Sequence, residues 1–598
     1  MLNRDPIRLP GAMFSTNEYR DWVRAHGALS EPDRVAIRAE ILKLPLRPLF
    51  SVLLDTRSEQ AAIERSALSL RSQLYRDFEV CFALRHDEAT VVRQITEPLG
   101  GDVGVRLASL SNLSPDTPAA RRNAALAAAN GDFVLCLDAG DCLAEQALFE
   151  CAAEIAGNPK TAAVYSDEDC LDAEGSRHAP CFKTGWDPDL MLSHDMLGRL
   201  AAFRRDLALR IGGFRQDFEG AEDHDFALRA TAELAPFRIR HIPAVLYHRA
   251  VSMCQPEGSL TRRADASRRA VRAFLDQSGQ QLAQVRPNPM LPHWHRIHWP
   301  LPDPVPHVSI IVPTRDRAEL LRSCAEGVLT RTDYENIELV IVDNGSAEDQ
   351  TLKLFSKLSA DPRVQILRSP GPFNFSALMN LGARQSVGEI LLLLNNDIEV
   401  IDDAWLGEMV SQVLRPDVGA VGAKLIYPDG RIQHGGVILG PGRAAVHELR
   451  LLDRNDVGYL GHGASTRSLL AVTGACLAVK RSVFEEVGGL DQVNLPVSYN
   501  DVDFCLRIGD RGYRILWTPF AELFHVESAS RGYDDQTPEK AARARRELEH
   551  LWTSWGSLID ADPFHNPNLL FTWDHPVQLT APRRKPSWGR APVPPAAV

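Results

Sequence analysis

No run of about 18 apolar residues occurs in the chain, which argues against a membrane-spanning helix. The opening "MLNRDPIRLPG" lacks the apolar core of a secretory signal, so a soluble protein is expected. Basic charge is also short: 66 Lys and Arg stand against 78 Asp and Glu, a net charge of −12. Nucleic acid is therefore not expected as a partner, since its phosphates call for a basic field. An acidic protein can still hold a phosphate substrate where a metal supplies the positive charge. The ten cysteines include no C-x-x-C pair, and several lie in strand-like runs such as Cys136 in "FVLCLDA". They read as reduced, buried thiols suited to a cytosolic compartment. What remains is ordinary globular composition, 44% hydrophobic and 24% charged over 598 residues, enough for several domains.

Short apolar runs alternate with helical periodicity, which predicts an α/β architecture. "HVSIIVPT" (307–314), "IELVIVDNGS" (337–346) and "EILLLLNND" (389–397) read as strands, with helices in "AELLRSCAEGVLT" and "ALMNLGARQSVG" between them. Such a β-α-β-α-β unit is a nucleotide-binding half-sheet, with its ligand crevice at the carboxyl ends of the strands.

The pattern occurs twice. "FSVLLDTR" (50–57) repeats as "VSIIVPTR" (308–315), and "IGGFRQDFEGAEDHDFALR" as "VGGLDQVNLPVSYNDVDFCLR". Asn123 and Asn380 both stand 15 residues before the strand end, Gly131 and Gly388 both 7. From Asp223 to His248 is 25 residues, and from Asp501 to His525 is 24. The expected organisation is a helical extension over 1–45, a first domain over 46–250 and a helical then extended linker over 251–306. A second domain over 307–578 and a disordered Pro- and Arg-rich tail over 579–598 complete it.

"IVDNGS", "LLLLNNDIEV", "TGACLAVKRSVFEEVGGLD", "YNDVDFCLRIGDRGYRILWTPFAELFHVESASRG" and "DPFHNPNLLF" together resemble family-2 glycosyltransferases of GT-A fold. The resemblance spans about 50–250 and 307–575 and is nearest to bacterial two-domain enzymes of surface-polysaccharide and O-antigen assembly, rhamnosyltransferases among them. It implies two tandem GT-A domains and transfer of a sugar, with inversion, from a nucleotide-diphosphate sugar to a polysaccharide or lipid-linked glycan acceptor. It also implies a Mg²⁺ or Mn²⁺ cofactor, because a departing diphosphate needs a counter-charge. The expected location is cytoplasmic, with association at the inner membrane or with other transferases left open.

By that resemblance Asp397 ends the family's D-x-D element, written here Asn395-Asn396-Asp397, and meets the metal; its bland alternative is a strand-end cap. His525 would complete the metal shell, or else be a packed residue. Asp501 matches the general base, which takes the proton of an acceptor hydroxyl; Asp503 would cap the helix instead. Asp343 matches the residue that reads the nucleotide base, with a "DNGS" turn as an equal alternative. Pro313, Thr314 and Asn380 belong to the same donor site.

In the first copy, counting from Asn123 places Gly140 at the position of Asp397, so the metal carboxylate is expected to be missing. Asp138, Asp141, Asp223 and His248 remain as a first-domain site. The readings are a weakened domain for acceptor binding or scaffolding, or a second active site. Rival readings are a non-catalytic glycan-binding protein with two decayed domains and a sugar-nucleotide pyrophosphorylase, which would need a Gly-rich loop after the first strand. A dinucleotide site at Gly440, Gly442 and Ala445 would need the first turn of a βαβ unit. His434 in "QHGG" is expected in a polar loop beside the cleft.

Overall fold

Val308–Thr314, Ile337–Asp343 and Ile390–Leu394 form the three parallel strands that their apolar runs predict, with helices Ala318–Thr330 and Phe375–Gln385 between neighbours. Both faces of this sheet are covered, so successive residues bury in opposite directions. Ile310, Val312, Leu392 and Leu394 enter one core with Leu321 and Cys324. Ile311, Leu391 and Leu393 enter the other with Met379 and Ala383. The four leucines 391–394 are thus a central strand serving two cores.

The structure is a computed structural model that describes residues 13–85, 89–101, 103–110, 116–250, 257–440, 443–526, 537–570 and 577–589. They form two units: Met1–Ile297 with Asn566–Leu570 and Val577–Val598, and His298–His565 with Phe571–Pro576. In the second unit the main sheet runs Val364–Arg368, Ile337–Asp343, Val308–Thr314, Ile390–Leu394, Cys476–Lys480, Val418–Ile426, Arg514–His525, Ile398–Val400. The first unit repeats this order: Gly104–Ser109, Phe78–Leu84, Phe50–Leu54, Phe133–Leu137, Ala201–Arg204, Ala163–Leu171, Ile239–Ala250, Cys142–Leu143. The pairing directions agree too, parallel through the first four strands and antiparallel to the fifth. The chain is a tandem of one GT-A-type α/β domain.

Sheet register corrects one expectation. In the second unit Ile398 lies opposite His525, and in the first Cys142 lies opposite His248. Asp141, not Gly140, therefore holds the position of Asp397. The extra residue is Gly140, whose φ of +96° lets the chain bulge and rejoin the register.

The anchors of the repeat are packing devices. A Cβ on Gly388 would lie 2.6 Å from Ser309 N, and one on Gly131 would lie 2.7 Å from Ser51 N. Asn380 donates to Leu490 O at 2.8 Å and accepts from Leu490 N at 2.9 Å, clamping the Gly488-Gly489 turn; Asn123 makes the same pair with Phe214.

The segments expected as linker and tail are otherwise employed. Helix Glu257–Gln277 belongs to the first unit, where Ser267 Oγ lies 2.7 Å from both His224 Nδ1 and His295 Nε2. Asn566, counted in the second domain, donates to Asp167 Oδ2 and Lys183 O of the first unit. Gln578–Leu579 pairs with Leu569–Leu570, Arg584 donates to Glu150, and Trp588 Nε1 donates to Asp33. Residues 579–589 are thus ordered by specific partners, while 590–598 lie outside the described residues. The N-terminal extension contains helices Thr16–Trp22 and Glu31–Lys43; residues 1–12 lie outside the described residues.

Gly388→Ala is expected to lower unfolding free energy by about 1–3 kcal/mol, because the methyl meets backbone atoms that cannot yield. Gly509→Ala, with nothing within 4 Å of its Cβ, should leave stability unchanged or raise it by up to about 1 kcal/mol. Chemical denaturation of the full chain measures both.

Candidate active site

Asp397 follows the Ile390–Leu394 strand at the carboxyl end of the parallel sheet, where it is only 4% exposed. Its Oδ1 has no hydrogen-bond partner, yet His525 Nε2 lies 3.2 Å away. The other ring nitrogen, Nδ1, faces Gln433 Oε1 at 3.4 Å. With its proton on Nδ1 the ring turns a lone pair toward Asp397. Asn395 Nδ2 stands 3.4 Å from the same Nε2, and Asn396 Nδ2 donates to Thr314 Oγ1 at 3.0 Å. A carboxylate oxygen and an imidazole lone pair, buried side by side, repel each other unless a cation lies against them.

This donor set fits a hard divalent cation. Among the described residues no three His, Cys, Asp or Glu side chains gather into a metal-binding group. A cation held by Asp397 and His525 would take its other ligands from phosphate and water, as Mg²⁺ commonly does.

Asp501 lies in the first turn of helix Asn500–Asp510, which starts abruptly after Tyr499 in a left-handed conformation (φ 60°). Its Oδ2 accepts from Gly474 N at 2.9 Å and its Oδ1 from Val502 N at 2.9 Å. Two backbone donors fix the carboxylate while leaving lone pairs on both oxygens. Asp503 is spent on structure, accepting from Arg507 and from Trp555 Nε1. Asp397, Asp501, His525, Pro313, Thr314, Asn395 and Asn396 all line one cleft of about 470 Å³. Sequence reasoning missed Gln433, His447, Lys540 and Arg543 in the same lining. The first turn of helix Pro538–Asp560 carries Lys540, and its charge near "DxD"-type residues has no fixed spacing to betray it.

Two expected donor-site residues are placed elsewhere. Asn380 spends its amide on the clamp described above and does not line this cleft. Asp343 is fully buried, accepts from Ser346 N at 2.8 Å, has the Arg368 guanidinium 2.7 Å from Oδ2 and is not among the residues lining this cleft. His434 sits in a short strand, not a loop, fully buried with Nδ1 3.1 Å from His447 Nδ1. Gly440 and Ala445 lie on an antiparallel hairpin, which removes the dinucleotide reading; Gly442 lies outside the described residues.

In the first unit the four expected residues each have protein partners. Asp138 and Asp223 are both bound by Arg122 and Arg199. Asp141 accepts from Tyr247 OH at 2.7 Å and from Ala250 N at 2.8 Å. Burial still pushes its pKa up to about 6. His248 turns away to Asp169, 2.6 Å from Nδ1.

The family model for glycosyl transferase family 2 matches residues 51–212 and 309–488, more than half of the chain and both units. An uncharacterized protein, y4gI, of Sinorhizobium fredii is 38% identical over 97% of this chain and 64% of its own length. The O-antigen biosynthesis protein RfbC of Myxococcus xanthus is 37% identical over 93% of this chain and 43% of its own. The chain thus spans 64% and 43% of the length of these two relatives. A solved mannosyltransferase from Pyrobaculum calidifontis, in complex with GDP-Man and Mn²⁺, covers 50% of this chain and 74% of its own, with 19% identity and a TM-score of 0.31. On the family match and the repeated sheet, the chain belongs to glycosyl transferase family 2.

Proposed function

We propose that the second unit transfers a sugar from a nucleotide diphosphate to a hydroxyl of a growing surface glycan, with Asp501 as general base. The observation that carries this reading is the buried, unpartnered Asp397 oxygen beside His525, in a cleft that also holds Asp501. A cleft of about 470 Å³ is in the ordinary range for a small-molecule site. The glycan acceptor is inferred from the similarity to RfbC, whose name assigns that protein to O-antigen biosynthesis.

The residues divide the work as follows. Asp501, held by Gly474 N and Val502 N, accepts the proton of the acceptor hydroxyl as its oxygen bonds to the anomeric carbon. The bond from that carbon to the diphosphate oxygen breaks in the same displacement, which inverts the anomeric centre. Asp397 and His525 would hold Mg²⁺ or Mn²⁺, which supplies positive charge against the departing diphosphate. Lys540 and Arg543 add cationic side chains to the lining. We assign the reaction to the cytoplasm, with the acceptor presented at the inner membrane. The nine described cysteines are free, and burial pushes thiols such as Cys324 up to about 12. Among the described residues no helix is long and apolar enough to cross a membrane.

Asp501→Asn is expected to cut kcat about 10²–10⁴-fold while leaving the Kd for UDP, dTDP or GDP with Mn²⁺ within about twofold. Unchanged turnover in that variant would remove Asp501 from the base role. The matching nucleotide should raise Tm only with Mn²⁺ or Mg²⁺ present, and Asp397→Ala should abolish that dependence; a shift that persists in chelator counts against the metal reading.

A further inference from the structure

The two units can be aligned residue by residue through their strand register and repeated motifs, and the alignment exposes two exchanges. Arg122 precedes the clamp residue Asn123, where Met379 precedes Asn380. Arg199 follows Gly198, where Ala475 follows Gly474. Both arginines are nearly buried, their side chains 8% and 15% exposed. Arg122 Nη1 lies 3.0 Å from each Asp223 oxygen, and its Nη2 lies 2.9 Å from Asp138 Oδ1. Arg199 Nη2 donates to Asp138 Oδ2 at 2.7 Å and to Asp223 Oδ2 at 2.8 Å. Asp223 holds the position of the proposed base Asp501, and Asp138 that of Asn395.

A third exchange finishes the arrangement. Tyr247 stands where Phe524 does, one residue before the histidine, and its hydroxyl binds Asp141. Phe524 has no hydroxyl to donate, and Asp397 keeps an oxygen without a hydrogen-bond partner.

The charges decide what each site can take. Two guanidinium groups against two carboxylates sum to zero, with each carboxylate already bonded to both cations. A dication would have to displace buried, hydrogen-bonded arginines. Burial alone would favour protonated acids, yet Arg122 and Arg199 hold Asp138 and Asp223 below the usual carboxylate range. In the second unit Met379 and Ala475 bring no charge, so Asp397 and Asp501 keep theirs for a ligand.

We propose that Arg122 and Arg199, by binding the carboxylates at the positions of Asn395 and Asp501, keep a divalent cation out of the first unit. The inference takes the metal reading of Asp397 as its reference. Replacing both arginines with their second-unit counterparts, Arg122→Met and Arg199→Ala, should open a cation site in the first unit.

Mn²⁺ bound to the full chain with UDP, counted by loss of the free-ion electron paramagnetic resonance signal, tests this without reference to turnover. The wild-type chain should bind one ion and Asp397→Ala none. Arg122→Met/Arg199→Ala in the Asp397→Ala background should regain one, lost again on adding Asp223→Asn. A folded triple variant that binds no ion overturns the proposal. So does an ion retained by Asp397→Ala and lost on adding Asp138→Asn. Should the arginine exchange prevent folding, that last comparison decides: no retained ion upholds the lock. A wild-type chain without Mn²⁺ would defeat the second-unit metal reading while leaving this one to the arginine exchange.

Discussion

A carboxylate carried to the end of a doubly buried strand cannot stay charged without a counter-charge nearby. Desolvation penalises the ion by several kcal/mol or more, and removing it from that position would remove the reason for the site. Each half carries such a carboxylate at the matching place in its own sheet, Asp141 in one and Asp397 in the other. The first takes hydrogen bonds from Tyr247 and Ala250, while arginines from two separate segments hold the nearby Asp138 and Asp223. The other leaves an oxygen without a hydrogen-bond partner 3.2 Å from His525 Nε2. The remaining architecture serves to bring the strand end there: two cores that bury alternate residues, a glycine that lets a loop press on the first strand, and an asparagine clamp that fixes the turn opposite.

Asp501 and the strand leading to Asp397 are tied together by hydrogen bonds of two adjacent residues. Asn395 N donates to Ala475 O at 3.0 Å, and the neighbouring Gly474 N holds Asp501. The strand carrying Asp397 and the loop holding the base are therefore pinned to each other by backbone bonds, which long side chains could not do as firmly. Pre-organisation of this kind fixes two carboxylates, Asp397 and Asp501, in a single cleft.

Much of this was legible in the sequence. Strand runs, the fourfold spacing of Asn, Gly, Asp and His, and the tandem repeat follow from periodicity and counting. Counting failed at Gly140 because a one-residue bulge is invisible until strands pair. The role of Arg122 and Arg199 was hidden because their partners lie 16 to 101 residues away in sequence. Asn380 was read as a ligand since a clamp and a ligand demand the same amide. The tail misled by composition: prolines and arginines describe an average, whereas Arg584 and Trp588 have particular partners in Glu150 and Asp33.

The return of the chain to the first unit has a consequence for biosynthesis. Asn566, which caps Asp167, and Trp588, which reaches Asp33, leave the ribosome after every residue of the second unit's sheet. Domains commonly fold in the order of their synthesis, but here the first unit includes residues made after the second unit's sheet. A nascent chain that has reached His525 therefore carries every strand of the second unit's sheet but not the segment that bonds Asp167.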